Sequence, residues 1–358
     1  MQKRIIGYDL ARALAIFGMV VVNFKIVMGA ESNGPAWLVS MAELLSGRAA
    51  ATFVVLAGVG ISLLSREGRI SGDKDLLRRN RTALLKRALF LFIVGLLFTP
   101  IWPADILHFY GLYIASAAML LAVSTRTLFT LCGALVVAAA VMVLSLNYDH
   151  GWDWETLEYV DFWSPSGMVR HLFFNGFHPV IPWLGFLLVG MVLGRQELTR
   201  VAVRRRIFGA ALATAVVAEV GSRVIVRRLS PGLDATGQEA IFAMFGTQPM
   251  PAMPLYMFAA TGTACALIVA MVSLGFRYGE TAWLRPIVRT GQLALSLYVA
   301  HIIVGMGALE SFGRLENQTL PFSLLSSLVF CAFGVLFAHL WRGRFKRGPV
   351  EMLMRVMT

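Results

Sequence analysis

The sequence predicts an all-α polytopic membrane protein with about ten transmembrane helices, room for an eleventh, and both termini cytoplasmic. Three observations predict it. Apolar runs long enough to cross a bilayer, which takes ~20 residues, recur from end to end. The composition is 58% hydrophobic and only 15% charged, with a mean hydropathy of +0.71, whereas soluble domains carry ~25% charge. The lysines and arginines collect in alternate loops, as they do when positive charge sets membrane orientation. That distribution accounts for the net charge of +12. No basic recognition helix accompanies it, so nucleic acid is excluded as a partner.

Residues 1–358 read as a single integral-membrane domain, with spans expected over 6–27, 49–65, 84–100, 105–123, 127–147, 178–194, 207–226, 254–274, 287–307 and 321–341. Segment 36–45 is expected to lie in the interface or to extend the second span as a tilted helix, and any eleventh span would come from it. Spans three and four are joined by Pro100-Ile101-Trp102-Pro103, which makes them antiparallel neighbours. With the N-terminus inside, inner segments hold 24 Lys and Arg, counting Lys3, against 7 outside, and Arg12 lies within a span. Both termini are therefore expected on the cytoplasmic side. Only the loop with Arg223, Arg227 and Arg228 runs against the trend. The opening resembles a signal peptide, but Asp9 and Arg12 interrupt the apolar run and no small-residue cleavage site follows, so retention as the first span is expected. Cys132, Cys265 and Cys331 each fall in an apolar run and read as small core residues.

The first span organises the rest. Asp9 and Arg12 share a helical face, and Asn23 lies about 21 Å beyond Asp9 at the helical rise per residue. Ionisable groups at such depths are functional by default, with an interfacial salt bridge as the alternative for the pair. Three histidines are expected near one depth in the outer half, level with Asn23. His108 follows Asp105 by three, which lets the carboxylate orient the ring. His178 precedes Pro179, which pushes its backbone out of helical geometry. His301 lies about 18 Å beyond Arg289 along the ninth span, beside Gln292, Ser296 and Tyr298. That polar stripe needs a cavity or a bundle interior, which favours His301 or His178 over His108 as a base. A lone membrane histidine, by contrast, is a helix-packing hydrogen bonder. His339 lies at the inner end of the last span. Glu219 and Arg223 read as a structural pair, and Gly190–Gly194 as a helix-packing device. No metal cluster, nucleophile elbow, P-loop or dinucleotide fingerprint is present.

Two outer loops differ from the rest. Residues 148–175 combine five carboxylates with Trp152, Trp154 and Trp163, besides His150 and His171. They form either a solvated loop with interface-anchoring tryptophans or a lid over a polar acceptor. Residues 229–253, rich in Pro and Met, are expected to dip back irregularly.

The opening pattern R-I-x-x-x-D-L-A-R-A-L-A-I-x-G-M-V-V-V-N resembles the first span of the YeiB-type and heparan-α-glucosaminide N-acetyltransferase-like membrane proteins. GRAAATFVVLAGVGISLL, DILHFYGL and FHPVIPWLGFLLVGMVLGR match in order, and GQLALSLYVAHII resembles the late polar span of that family. The resemblance implies a transmembrane acyltransferase that takes an acyl group from cytoplasmic acyl-CoA, acetyl-CoA in particular, to an acceptor on the far side, without a metal. It implies that Arg12 and Asp9, with Gln292, Ser296 and Tyr298, hold the acyl-CoA. The Arg78–Arg87 and Arg204–Arg206 clusters would take its phosphates, and Asn23 would donate to the thioester carbonyl. Arg12-Ala13 replaces the family's Arg-Gly. Asn23 stands where sugar O-acetyltransferases carry a histidine, and residues 24–37 lack the one that heparan enzymes place there. The base then falls to His108, His178 or His301. The expected partners are the bilayer and an extracytoplasmic glycan, lipid or small-molecule acceptor, a homodimer is allowed, and the expected place is a bacterial inner membrane. The alternatives are a transporter or lipid translocator using the same polar path without bond chemistry, and a non-catalytic assembly partner.

Overall fold

The computed structural model describes residues 4–279 and 281–358, so Lys3 lies outside the described residues. Of the described residues, 75% are helical. In order it forms α1 (Ile6–Val27), α2 (Ala36–Glu43), α3 (Arg48–Leu64), α4 (Arg66–Ser71), α5 (Lys74–Phe98), α6 (Leu107–Met119) and α7 (Thr125–Ser145). A small hairpin follows, β1 (Trp152–Asp153) and β2 (Glu158–Tyr159), then α8 (Pro165–Arg170) with a π-helical turn at His171–Asn175, and α9 (Val180–Leu193). The remainder is α10 (Val201–Leu229), α11 (Ala235–Phe245), α12 (Pro254–Tyr278), α13 (Arg285–Gln292), α14 (Ala294–Ala300), a second π turn at His301–Met306, α15 (Gly307–Ser311), α16 (Leu320–Arg344) and α17 (Pro349–Met357).

Among the described residues, seven helices are long and apolar enough to cross a membrane, or eight if the pair Pro165–Asn175 and Val180–Leu193, bent by 48°, is one span. Segment 36–45 joins α3 through a tight turn, so that Ala36–Leu64 counts as one 29-residue span. The number falls below ten at expected spans three and four. The first half of α5 carries Lys74, Arg78, Arg79, Arg81, Lys86 and Arg87. α6 has 13 residues, fewer than the ~20 a perpendicular crossing needs.

The chain divides into two compact units. One comprises the chain up to Phe53, Leu198–Phe208 and Ala264–Val356. Here α1 packs against α13, α14 and α16. The approach of α13 to α1 requires Gly291, because a β-carbon there would overlap the backbone carbonyl of Asp9. Between membrane helices such close packing replaces the hydrophobic driving force. The expected ninth span is not one helix. α13 ends at Gln292, Leu293 leaves helical geometry at φ −111° and ψ 26°, and α14 restarts at Ala294. The rise counted from Arg289 to His301 assumed an unbroken helix and is corrected by this break.

The other unit comprises Val54–Glu197, Gly209–Thr263 and the last two residues. In it α5 packs on α6, as their short connection predicts, and α9 packs on both α6 and α7. Gly190 lets α9 rest on the carbonyl of Val55 in α3, which is the packing role expected of the GxxxG. Loop 148–175 is folded: β1 and β2 pair antiparallel with Trp152 opposite Tyr159, and Trp152, Tyr159 and Phe162 form a buried core. Residues 229–253 do not dip back irregularly throughout. They contain α11, started by the Asp234 carboxylate accepting from the Gly237 amide and burying none of its own residues.

Candidate active site

In the first unit, polar side chains line α1 and the broken helix facing it. Asp9, whose side chain is 3% exposed, accepts from Arg4 Nε at 2.8 Å and from Arg12 Nη1 at 2.9 Å. Gln292 Nε2 approaches the same carboxylate at 3.5 Å, while its Oε1 accepts from Arg342 Nε at 2.9 Å. The expected Asp9–Arg12 pair is thus part of a network in which three arginines gather around one acid. The hydrogen bond that Arg4 donates to Asp9, opposed by burial, holds the Arg4 guanidinium above its ordinary pKa. Beside Arg4 lies a pocket of about 560 Å³, walled by Arg277, Phe276, Tyr278, Thr199 and Thr281. Its volume falls within the ~300–1,000 Å³ of ordinary small-molecule sites.

Just beyond the break, Ser296 is claimed by the last helix. Glu351 of α17 accepts from the Leu295 amide at 2.9 Å and the Ser296 amide at 3.2 Å, and also from Ser296 Oγ, which in turn accepts from the Val350 amide at 3.0 Å. Sequence reasoning missed Glu351. Its signal is an acid in a short, largely apolar terminal helix.

At the far end of the line, Asn23 Nδ2 lies 2.9 Å from His301 Nε2. Tyr298 is buried, and its carbonyl receives His301 Nδ1. A carbonyl only accepts, so this contact assigns the ring proton to Nδ1 and leaves the Nε2 lone pair facing the Asn23 amide. A π turn begins at His301, a feature frequent at functional sites. Nearby on α1, Lys25 is 1% exposed and donates to Glu43 Oε1 at 2.7 Å and Ser46 Oγ at 3.0 Å. This buried cation, counted in the sequence as an outer-loop charge, is therefore neutralised in place.

His108 and His178 belong to the second unit and meet His171, which sequence reasoning left in the loop. His108 stacks on His171 with centroids 5.8 Å apart, and Phe109 bridges to His178 at 5.9 Å. Asp105 Oδ2 accepts from the Leu107 amide at 2.8 Å and lies 3.4 Å from His108 Nδ1, so the carboxylate caps α6 more closely than it holds the ring. Tyr113 donates to the His178 carbonyl. The hairpin closes over the cluster. Trp152 Nε1 and Tyr159 Oη donate to Asn175 at 2.7 Å each, and Arg170 pairs with Asp161 at 2.7 Å. Burial pushes the Tyr159 phenol up, opposed by Arg170. His108 Nε2, His171 Nδ1 and His178 Nδ1 are buried without partners. No group of three or more His, Cys, Asp or Glu among the described residues is arranged to hold a metal.

The two arginine clusters expected on CoA phosphates differ in freedom. Arg204 is buried and spends its donors on the Leu198 and Thr199 carbonyls and on Ser273 Oγ. Arg78, Arg79 and Lys86 instead line an open surface pocket of about 610 Å³.

Apolar helices long enough to cross a bilayer, with a part-buried Asn–His pair at one end of a polar line and arginines at the other, define a multi-pass membrane protein. Residues 4–223 match the family described as heparan-alpha-glucosaminide N-acetyltransferase, catalytic, and residues 204–358 match one described as a protein of unknown function, DUF418. The first match spans well over half of the chain, which therefore belongs to this family of transmembrane acetyltransferases, whose donor is acetyl-CoA. No curated protein matches the chain.

Proposed function

We propose that the protein transfers an acetyl group from cytoplasmic acetyl-CoA to a hydroxyl or amine of an acceptor on the far side of a bacterial inner membrane, with His301 as the base. The observation that carries this reading is the 2.9 Å contact between Asn23 and the unprotonated nitrogen of His301. A base must present a lone pair within hydrogen-bond reach of the proton it takes, and His301 Nε2 presents one beside an amide donor. His301 takes the acceptor proton as the new acyl bond forms and returns it to the departing thiolate, so no net proton is released. Asn23 Nδ2 is the donor for charge developing on the thioester carbonyl oxygen.

The pocket beside Arg4 and Arg277 supports an anionic, aromatic donor, because arginines bind phosphates and stack on rings. Arg12 and Arg342 continue the positive field toward Gln292. The Lys and Arg asymmetry of the loops supports placing this end in the cytoplasm.

In proteoliposomes supplied with labelled acetyl-CoA, His301→Ala is expected to cut turnover ~10²–10⁴-fold with acetyl-CoA affinity nearly unchanged. Full transfer by His301→Ala would remove the histidine from the mechanism. No transfer by the unmutated protein across a panel of hydroxyl and amine acceptors would favour a translocator.

A further inference from the structure

We propose that Arg69 and Arg195 form a seat for one phosphate group, supplied by an anionic phospholipid headgroup or by a soluble phosphate compound. The proposal stands apart from acetyl transfer, and all of its residues lie in the second unit. α3 and α9 pack in parallel, with Gly190 over Val55 and Gly194 against Val59 and Ser62. Their C-terminal ends therefore lie together. Arg195 follows Gly194, and Arg69 follows α3 by little more than one helical turn.

The two side chains are fixed from different directions. Arg69 Nη2 donates to the Ser62 carbonyl at 2.9 Å and to Ser62 Oγ at 3.2 Å. Arg195 Nη1 donates to Thr125 Oγ1 at 3.1 Å. Three donors are left over: Arg69 Nε, Arg195 Nε and Arg195 Nη2 are buried and have no acceptor. A guanidinium presents its N–H groups in a rigid fork, and buried donors are almost always satisfied, so each exception needs a reason.

Helix C-termini attract cations, which explains the Arg69 contact with Ser62. It does not explain two guanidinium groups brought together with their remaining donors empty. Burial, with Arg69 nearby, holds Arg195 below its ordinary pKa, the behaviour of a cation short of a counter-charge. Water would satisfy the donors but leave the like charges uncompensated. A tetrahedral oxyanion meets both needs, and two forks suit phosphate geometry. The seat lies just past the ends of two apolar helices, the depth at which a headgroup phosphate sits.

The test uses the full chain, stripped of lipid in a nonionic detergent. Inorganic phosphate and short-chain phosphatidylglycerol are titrated separately, with calorimetric binding and thermal unfolding as readouts. At least one is expected to bind saturably at one site and raise the unfolding temperature. Arg195→Gln is expected to weaken that binding at least ten-fold, while leaving the unfolding temperature of the ligand-free protein unchanged or higher, because a half-buried charge beside a like charge is gone. A response to phosphate assigns a soluble source, and a response to lipid alone assigns the headgroup. If neither ligand binds the unmutated chain, or if Arg195→Gln binds as tightly, the proposal falls. Should Arg195→Gln not fold, Arg69→Lys keeps the charge, loses the Nε donor, and carries the same binding expectation.

Discussion

Asp9 holds two guanidinium groups while itself almost wholly buried, and the consequences of removing either side differ. The Arg12 side chain is 29% exposed and that of Arg4 62%, against 3% for Asp9. Asp9→Ala is expected to destabilise the protein by ~3 kcal/mol, the low end for breaking a buried pair. Arg12→Ala should cost ~1 kcal/mol or less, as for exposed pairs, but should raise the KM for acetyl-CoA. Thermal unfolding in detergent beside steady-state kinetics separates the two. Equal destabilisation with an unchanged KM would make Arg12 purely structural. At the other end of the line, Asn23→Ala is expected to lower kcat ~10²–10³-fold, the loss typical of one oxyanion donor, with little change in KM.

Much of this site was legible because polar residues inside apolar runs are conspicuous. Asp9, Arg12, Asn23, Gln292, Ser296 and His301 all stand out that way. Their partners did not, because pairing in space leaves no local mark: Asn23 and His301 are 278 residues apart. His171 was hidden for a related reason. Its place under Trp152 and Tyr159 depends on the hairpin register, which sequence alone did not specify.

At the scale of elements, the break at Leu293 and the docking of α17 are one arrangement. Helix restarts expose backbone amides that need acceptors, and Glu351 supplies the acceptor from another helix. α17 buries none of its own residues, and Leu353, Val356 and Met357 are exposed, so the Glu351 contacts carry most of its attachment. Glu351→Ala is expected to raise amide hydrogen exchange both along α17 and at Leu295 and Ser296. Gly348→Ala should do the same, since a β-carbon there meets Ser296 Oγ at 2.6 Å. Exchange raised on α17 alone would mean that the restart of α14 does not depend on the acid. The break escaped the sequence because no proline marks it. Gly291 and Gln292 within an apolar run were the available hints, and they read equally well as a polar stripe.

For the whole molecule, the helical membrane class was plain from composition, and the loop charges predict an orientation. The number of crossings was less legible, since α5 mixes a basic half with an apolar half and α6 is short. The orientation is open to a direct check. Ser166 is exposed in the folded 148–175 loop. After replacement of the three native cysteines, Ser166→Cys is expected to react with an impermeant thiol reagent on intact cells. Labelling only after lysis would invert the orientation, and with it the side from which acetyl-CoA arrives.

The folded loop also gives the chain an optical gauge of its own. The indole rings of Trp152 and Trp154 lie 4.8 Å apart and within 15° of parallel, and Trp152 is 6.1 Å from the His171 ring. Two chromophores at that spacing couple their transitions and imprint a paired signal on the near-ultraviolet circular dichroism spectrum, while an indole moved from a buried stack into water changes its emission. Any rearrangement that parts the hairpin from the histidines beneath it will therefore be visible in the unlabelled protein, as a collapse of the couplet and a change in brightness.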